Sequence, residues 1–101
     1  MGLSKKLKQA IDTLQDLVPL QHPVRVTRPK RMDEYGTCEF LEEPDRFLIR
    51  LHERLPDSDA MHILAHEWAH AVAWTDDPLV EAHGPERGVA YSRCYQALFE
   101  P

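Results

Sequence analysis

The stretch that most limits what this chain can become is DSDAMHILAHEWAHAVAW, residues 57–74, which sets His66, Glu67 and His70 in the middle of a helix-forming run. Residues four apart on a helix lie one turn above each other, so His66 and His70 project two imidazoles from one face. Glu67 stands on an adjacent side of the same surface. Around them Ile63, Leu64, Trp68, Ala69, Ala71 and Val72 suit a helix packed on both sides. A fold built on this helix must bury ionisable groups or give them something to bind. Left unsatisfied in a core, they cost several kcal/mol.

Zinc is the ligand that this arrangement serves. It accepts neutral imidazole, prefers four ligands, and in catalytic sites leaves one position for water. Bound water becomes acidic enough to supply hydroxide near neutrality, and a neighbouring carboxylate can take its proton and return it to a leaving amine. H-E-x-x-H delivers two ligands and that base in fixed relative geometry. His66 and His70 are therefore expected metal ligands and Glu67 the general base. A third ligand is required, and four residues compete for the role. His83 ranks first, because it sits in AHGPE with Gly84 beside it to give the backbone room. Glu86 follows as the fallback, then Glu81, then Asp76, whose turn has Ala73 where a sharp exit from the helix wants glycine.

The remaining residues frame one domain spanning 1–101, a length that suits one compact core and is too short for two. Leu3, Leu7, Ala10, Ile11, Leu14, Leu17 and Val18 recur at helical spacing, which predicts an amphipathic helix over residues 3–18 that Pro19 ends. VRVT, TCEFLE and RFLIRLHERL alternate as half-buried strands do, and EPDR (Glu43 to Arg46) reads as a hairpin turn between the last two. Asp57 or Ser58 is the expected N-cap of the central helix, which runs to about Trp74. Pro85 fits the first turn of a last helix ending near Phe99. Helix, three short strands, helix, loop, helix is an α+β order, with an antiparallel or mixed sheet.

Composition excludes more than it assigns. A formal net charge of −5 and a sequence pI near 5.6 argue against nucleic acid as a partner, and RVTRPKR reads as a solvated turn rather than a basic patch. No apolar run reaches the length of a membrane span, and MGLSKKLKQA has no apolar signal core, so a cytoplasmic protein is expected. Cys38 and Cys94 share no C-x-x-C spacing and read as reduced thiols. His62, one turn before His66, reads as a solvated helix histidine in preference to a pocket residue. Tyr91 and Tyr95 fall on the last helix, and a Tyr91 hydroxyl facing the metal would steady the oxyanion of a tetrahedral intermediate. Trp68 and Trp74 read as packing.

H-E-x-x-H on a helix, followed by HGPE opening another, resembles the zincin metallopeptidases and specifically their SprT-like branch. The approach IRLHERLPDSDAMHILAHEWAH also resembles that family's apolar strand, short link and active-site helix, and the likeness covers about residues 36–99. It implies a minimal zincin fold, with His66, His70 and His83 as zinc ligands and Glu67 as general base. It also implies a peptide or protein substrate, which in zincins pairs with an edge strand. One departure stands out: Arg87 occupies a position where SprT-like sequences tend to have an aromatic or large apolar residue. With no recognition module in so short a chain, specificity would come from a targeting partner protein or one narrow target. The rival expectation is a non-catalytic, zinc-stabilised interaction module of the same fold.

Overall fold

Six elements follow one another along the chain: α1 (Lys5–Leu17), β1 (Val24–Thr27), β2 (Gly36–Leu41), β3 (Arg46–Leu51), α2 (Asp57–Val72) and α3 (Pro85–Phe99). They come from a computed structural model that describes residues 3–74 and 85–100. Ser4 caps α1, its hydroxyl accepting the Leu7 N–H at 3.2 Å. Leu7, Ala10, Leu14 and Val18 form the buried stripe of that helix, while Leu17, expected to join them, is 55% exposed. One residue before Val18, Leu17 is turned by about 100° away from that stripe.

The strands make one mixed sheet in the order β1-β3-β2. β2 and β3 are an antiparallel hairpin with Gly36 opposite Leu51, Cys38 opposite Ile49 and Phe40 opposite Phe47. Its turn occupies residues 42–45, one residue earlier than the EPDR reading. β1 pairs with β3 in parallel, Val24 beside Phe47 and Val26 beside Ile49. One face therefore collects Val24, Val26, Cys38, Phe40, Phe47, Ile49 and Leu51, since side chains alternate along each strand. The other face carries Glu39 and Arg50, which form an ion pair.

Helix α2 touches β2 and β3 on one side and α1 and α3 on the other. Its composition explains this central place. Leu64 and Trp68 are fully buried, and Ala60, Ala65, Ala69 and Ala71 keep the backbone close to its neighbours. Ala90, Cys94 and Ala97 present a similarly small surface from α3. The Trp68 indole donates through Nε1 to the Val18 carbonyl at 2.8 Å, which fixes the end of α1 against α2. No helix among the described residues is long and apolar enough to cross a membrane.

The entry to α2 differs from the expected one. Its N-cap is Pro56 with no side-chain cap, the Ala60 N–H bonding back to the Pro56 carbonyl at 2.8 Å. Asp57 and Asp59 instead lie in the first turn, where negative charge suits the helix dipole. The fastening comes from Arg28. Its Nη2 donates to the carbonyls of His52, Glu53 and Leu55 at 2.7, 3.1 and 2.7 Å, and Nη1 lies 3.9 Å from Asp57. So one residue of the supposed basic turn is mostly buried and holds the link from β3 to α2. At the far end α2 stops at Val72, short of Trp74, whose ring turns to pack on Phe40 and Phe47.

Replacing Arg28 with Met should lower unfolding stability by about 2–3 kcal/mol, since three buried carbonyls lose a charged donor. Arg25→Met, on an exposed strand position, should change it by less than about 0.5 kcal/mol. Urea denaturation of the two variants side by side checks this, and equal midpoints would refute the role given to Arg28.

Candidate metal and catalytic site

The imidazoles of His66 and His70 face each other from successive turns of α2, ring centroids 5.2 Å apart and planes at 76°. Both rings are half-buried. Their side of α2 is turned toward α3, where Tyr91 stands with its ring 6.0 Å from that of His66. Glu67 points elsewhere. Its side chain is only 7% exposed and lies over the start of β2. The two imidazoles thus face a helix and the carboxylate faces a strand, as the 100° step between neighbouring helical residues requires.

Gly36 is what lets the carboxylate lie there. A Cβ at this position would stand 2.4 Å from Ile63 Cγ2, 3.2 Å from Glu67 Cγ and 3.3 Å from Glu67 Oε2. Ile63 is β-branched and stiff at χ1, so it cannot swing aside cheaply. A glycine here brings β2 and α2 into close approach. In the sequence it marks only the start of a strand, and the clash is invisible until the helix is laid against it.

Burial raises the pKa of Glu67 above its ordinary value, and the positive charge of Arg87 opposes that rise. A carboxyl with a raised pKa holds a proton more readily, which is what a group that must accept one from water needs. Cys38, two residues along β2 from Gly36, has its thiol pushed up to about 12 by burial, with Glu67 and Glu39 adding to the effect. Cys94 in α3 is pushed up to about 12 as well, again by burial. Both thiols therefore stay protonated at neutral pH.

Arg87 is the residue whose role sequence reasoning missed. Standing where the SprT-like sequences that the motif resembles tend to have a large apolar side chain, it is nonetheless buried, at 9% exposure. Its Nη2 lies 2.7 Å from Nε2 and 3.0 Å from Nδ1 of His66. Lying close to both ring nitrogens at once, Nη2 is in line with neither lone pair and sits against the ring. The departure from the SprT-like pattern is the signal. Chemistry at that position is not deducible from it, because a helical residue's neighbours across an interface are set by packing.

Other candidates fall as follows. Glu86 is exposed in the first turn of α3. His83, Glu81 and Asp76 lie outside the described residues. Among the described residues no three or more His, Cys, Asp or Glu form a group that could hold a metal ion. His62 is exposed and stacks on Phe99, centroids 4.2 Å apart and planes at 12°. Tyr95 lies beyond Tyr91, in ring contact with His62 and Phe99.

The donor chemistry nevertheless suits zinc. Two imidazoles one turn apart are donors that zinc accepts, and a third ligand would have to join them for a complete site. No family model, no curated protein and no solved structure matches this chain.

Gly36→Ala should destabilise the fold by about 1–3 kcal/mol through overpacking against Ile63. Combined with Ile63→Ala it should cost about 1 kcal/mol less than the sum of the single changes. Additive losses in denaturation experiments would mean that β2 can move away from α2 and that the glycine does not set the spacing.

Proposed function

We propose that this chain is a zinc-dependent hydrolase of the minimal zincin type, SprT-like in its motif, acting on peptide bonds. The observation that carries the reading is the pairing of His66 and His70 at 5.2 Å on α2 with Glu67 buried beside them. A helix that needed only to pack would not bury a carboxylate next to two imidazoles, since each costs desolvation that only a partner offsets. His66, His70 and a third residue, His83 first, would hold the ion. Zinc supplies there a Lewis acid and a water acidic enough to be deprotonated near neutrality.

The chain's own residues have the remaining work. Glu67 takes the proton from the attacking water and hands it to the amine as the C–N bond breaks, leaving a carboxylate and a free amine. β2 is an edge strand of the sheet, and its first residue lies against Glu67. An extended peptide added along that outer edge would use the strand's unpaired backbone groups and bring its own backbone past the base. Burial of Glu67 favours a hydrolase over a zinc-stabilised interaction module, which has no use for a base.

Zinc per chain, measured by elemental analysis, tests the reading. About one zinc is expected in the parent, lost in His66→Ala and His70→Ala and sharply weakened in His83→Ala. Zinc retained in His83→Ala would move the third-ligand role to Glu86, Glu81 or Asp76. Glu67→Gln should keep metal and fold and lower peptidase activity by about 100-fold or more. A parent that holds no zinc after reconstitution refutes the zinc-hydrolase reading.

A further inference from the structure

The position of Arg87 is not explained by packing alone. A guanidinium is among the most expensive side chains to bury, and one at 9% exposure is ordinarily matched by a carboxylate. The ion pairs formed among the described residues are Arg28–Asp57 and Arg50–Glu39, and neither involves Arg87. Its Nε is buried and has no hydrogen-bond partner among the described residues. Glu67 feels its charge without forming an ion pair with it. Among the described residues its polar contact is with one imidazole, that of His66, which offers at most one acceptor to a group with five donors.

Its placement on that imidazole is informative. Nη2 is nearly equidistant from the two ring nitrogens, at 2.7 and 3.0 Å. An atom in line with either lone pair would be far from the opposite nitrogen, so Nη2 sits beside the ring and leaves the lone pairs to other partners. Arg87 therefore does not compete for the coordinating position of His66. It adds a fixed positive charge and spare N–H donors directly alongside it. One turn further along α3, Tyr91 stands on the same side, but its ring centroid is 6.0 Å from that of His66.

We propose that Arg87 is the catalytic residue that receives the oxyanion: its guanidinium donates to the carbonyl oxygen of the scissile amide as negative charge develops there. This rests on the zinc-hydrolase reading and deepens it. When water attacks the carbonyl carbon, the C=O π pair moves onto oxygen, and a donor already aimed at that oxygen lowers the barrier without reorganising. Collapse of the tetrahedral species returns the pair to the C=O bond, breaks C–N and sends the proton held by Glu67 to the amine. Arg87 thereby takes the place of the Tyr91 hydroxyl as principal donor. The buried cation in turn gains an acceptor when substrate binds, one that becomes anionic as water attacks.

The test is binding of methylphosphonate, a tetrahedral anion, to the zinc-loaded protein, read by isothermal titration calorimetry, with acetate titrated in parallel. Parent, Arg87→Lys, Arg87→Gln and Tyr91→Phe are compared, each checked for zinc content and for its melting temperature. Expected is a loss of methylphosphonate affinity of about tenfold or more in Arg87→Gln, with part of it restored in Arg87→Lys and little change in Tyr91→Phe. Acetate should lose less than methylphosphonate. With a peptide substrate, kcat should fall while KM stays nearly constant. Zinc retained with unchanged methylphosphonate affinity in both Arg87 variants would overturn the proposal and leave Arg87 a structural cation. The proposal is equally overturned if Tyr91→Phe carries the loss, or if zinc-loaded parent binds no methylphosphonate. A parent without zinc would instead bring down the hydrolase reading, and this inference with it.

Discussion

The close approach of α2 to the start of β2 is the constraint on which the candidate site depends. Gly36 leaves no side chain between them, so Ile63 and the stem of Glu67 lie directly on the strand backbone. That contact buries the carboxylate and thereby raises its pKa. It also settles the orientation of the helix: with residue 67 turned to the sheet, residues 66 and 70 must turn toward α3. The apolar side of α2, Leu64 and Trp68 above all, then meets the rest of the core. One glycine thus couples a packing distance to the direction of three chemical groups.

Two fastenings hold that geometry at its ends, and both are long-range. Arg28 gathers three carbonyls of the β3–α2 link, of which that of His52 also accepts the Leu55 N–H. Trp68 ties the middle of α2 to the carbonyl that ends α1. Each replaces a local device that the sequence makes plausible. The helix could have been capped by Asp57 or Ser58, yet its N-cap is Pro56, with no side-chain cap bond.

The contrast between local and distant information explains what can be read from residues alone. α1, the three strands and α3 follow from apolar periodicity, Pro19 and Pro85, all of which act within a few residues. The α+β class follows from their order. Parallel pairing of β1 with β3 does not, since the choice between the two edges of β3 depends on a crossover whose path no dipeptide encodes. Periodicity gives a stripe without its exact edge, which is why it places Leu17 in the core. H-E-x-x-H points to His66, Glu67 and His70 as a unit, and the helix does bring the two rings together. Gly36, Arg28 and Arg87 are out of reach for one reason: each acts on an element at least 21 residues away in the chain.

Charge is the deeper link between fold and chemistry here. Taken alone, a buried Glu67 would tend to take up a proton and a buried Arg87 would tend not to be buried at all. Placed near each other without direct pairing, each lowers the cost of the other while both remain able to engage a third party. A direct ion pair would have quenched the base and spent the donor. The carboxylate lies over the start of β2 and the guanidinium against the His66 imidazole, so the two charges stand near each other without pairing. In the proposed hydrolase that division would serve proton acceptance at the attacking water and positive potential at the carbonyl oxygen. Apolar side chains of similar volume at both positions would often be as stable or more so, and stability alone therefore does not account for the two charges.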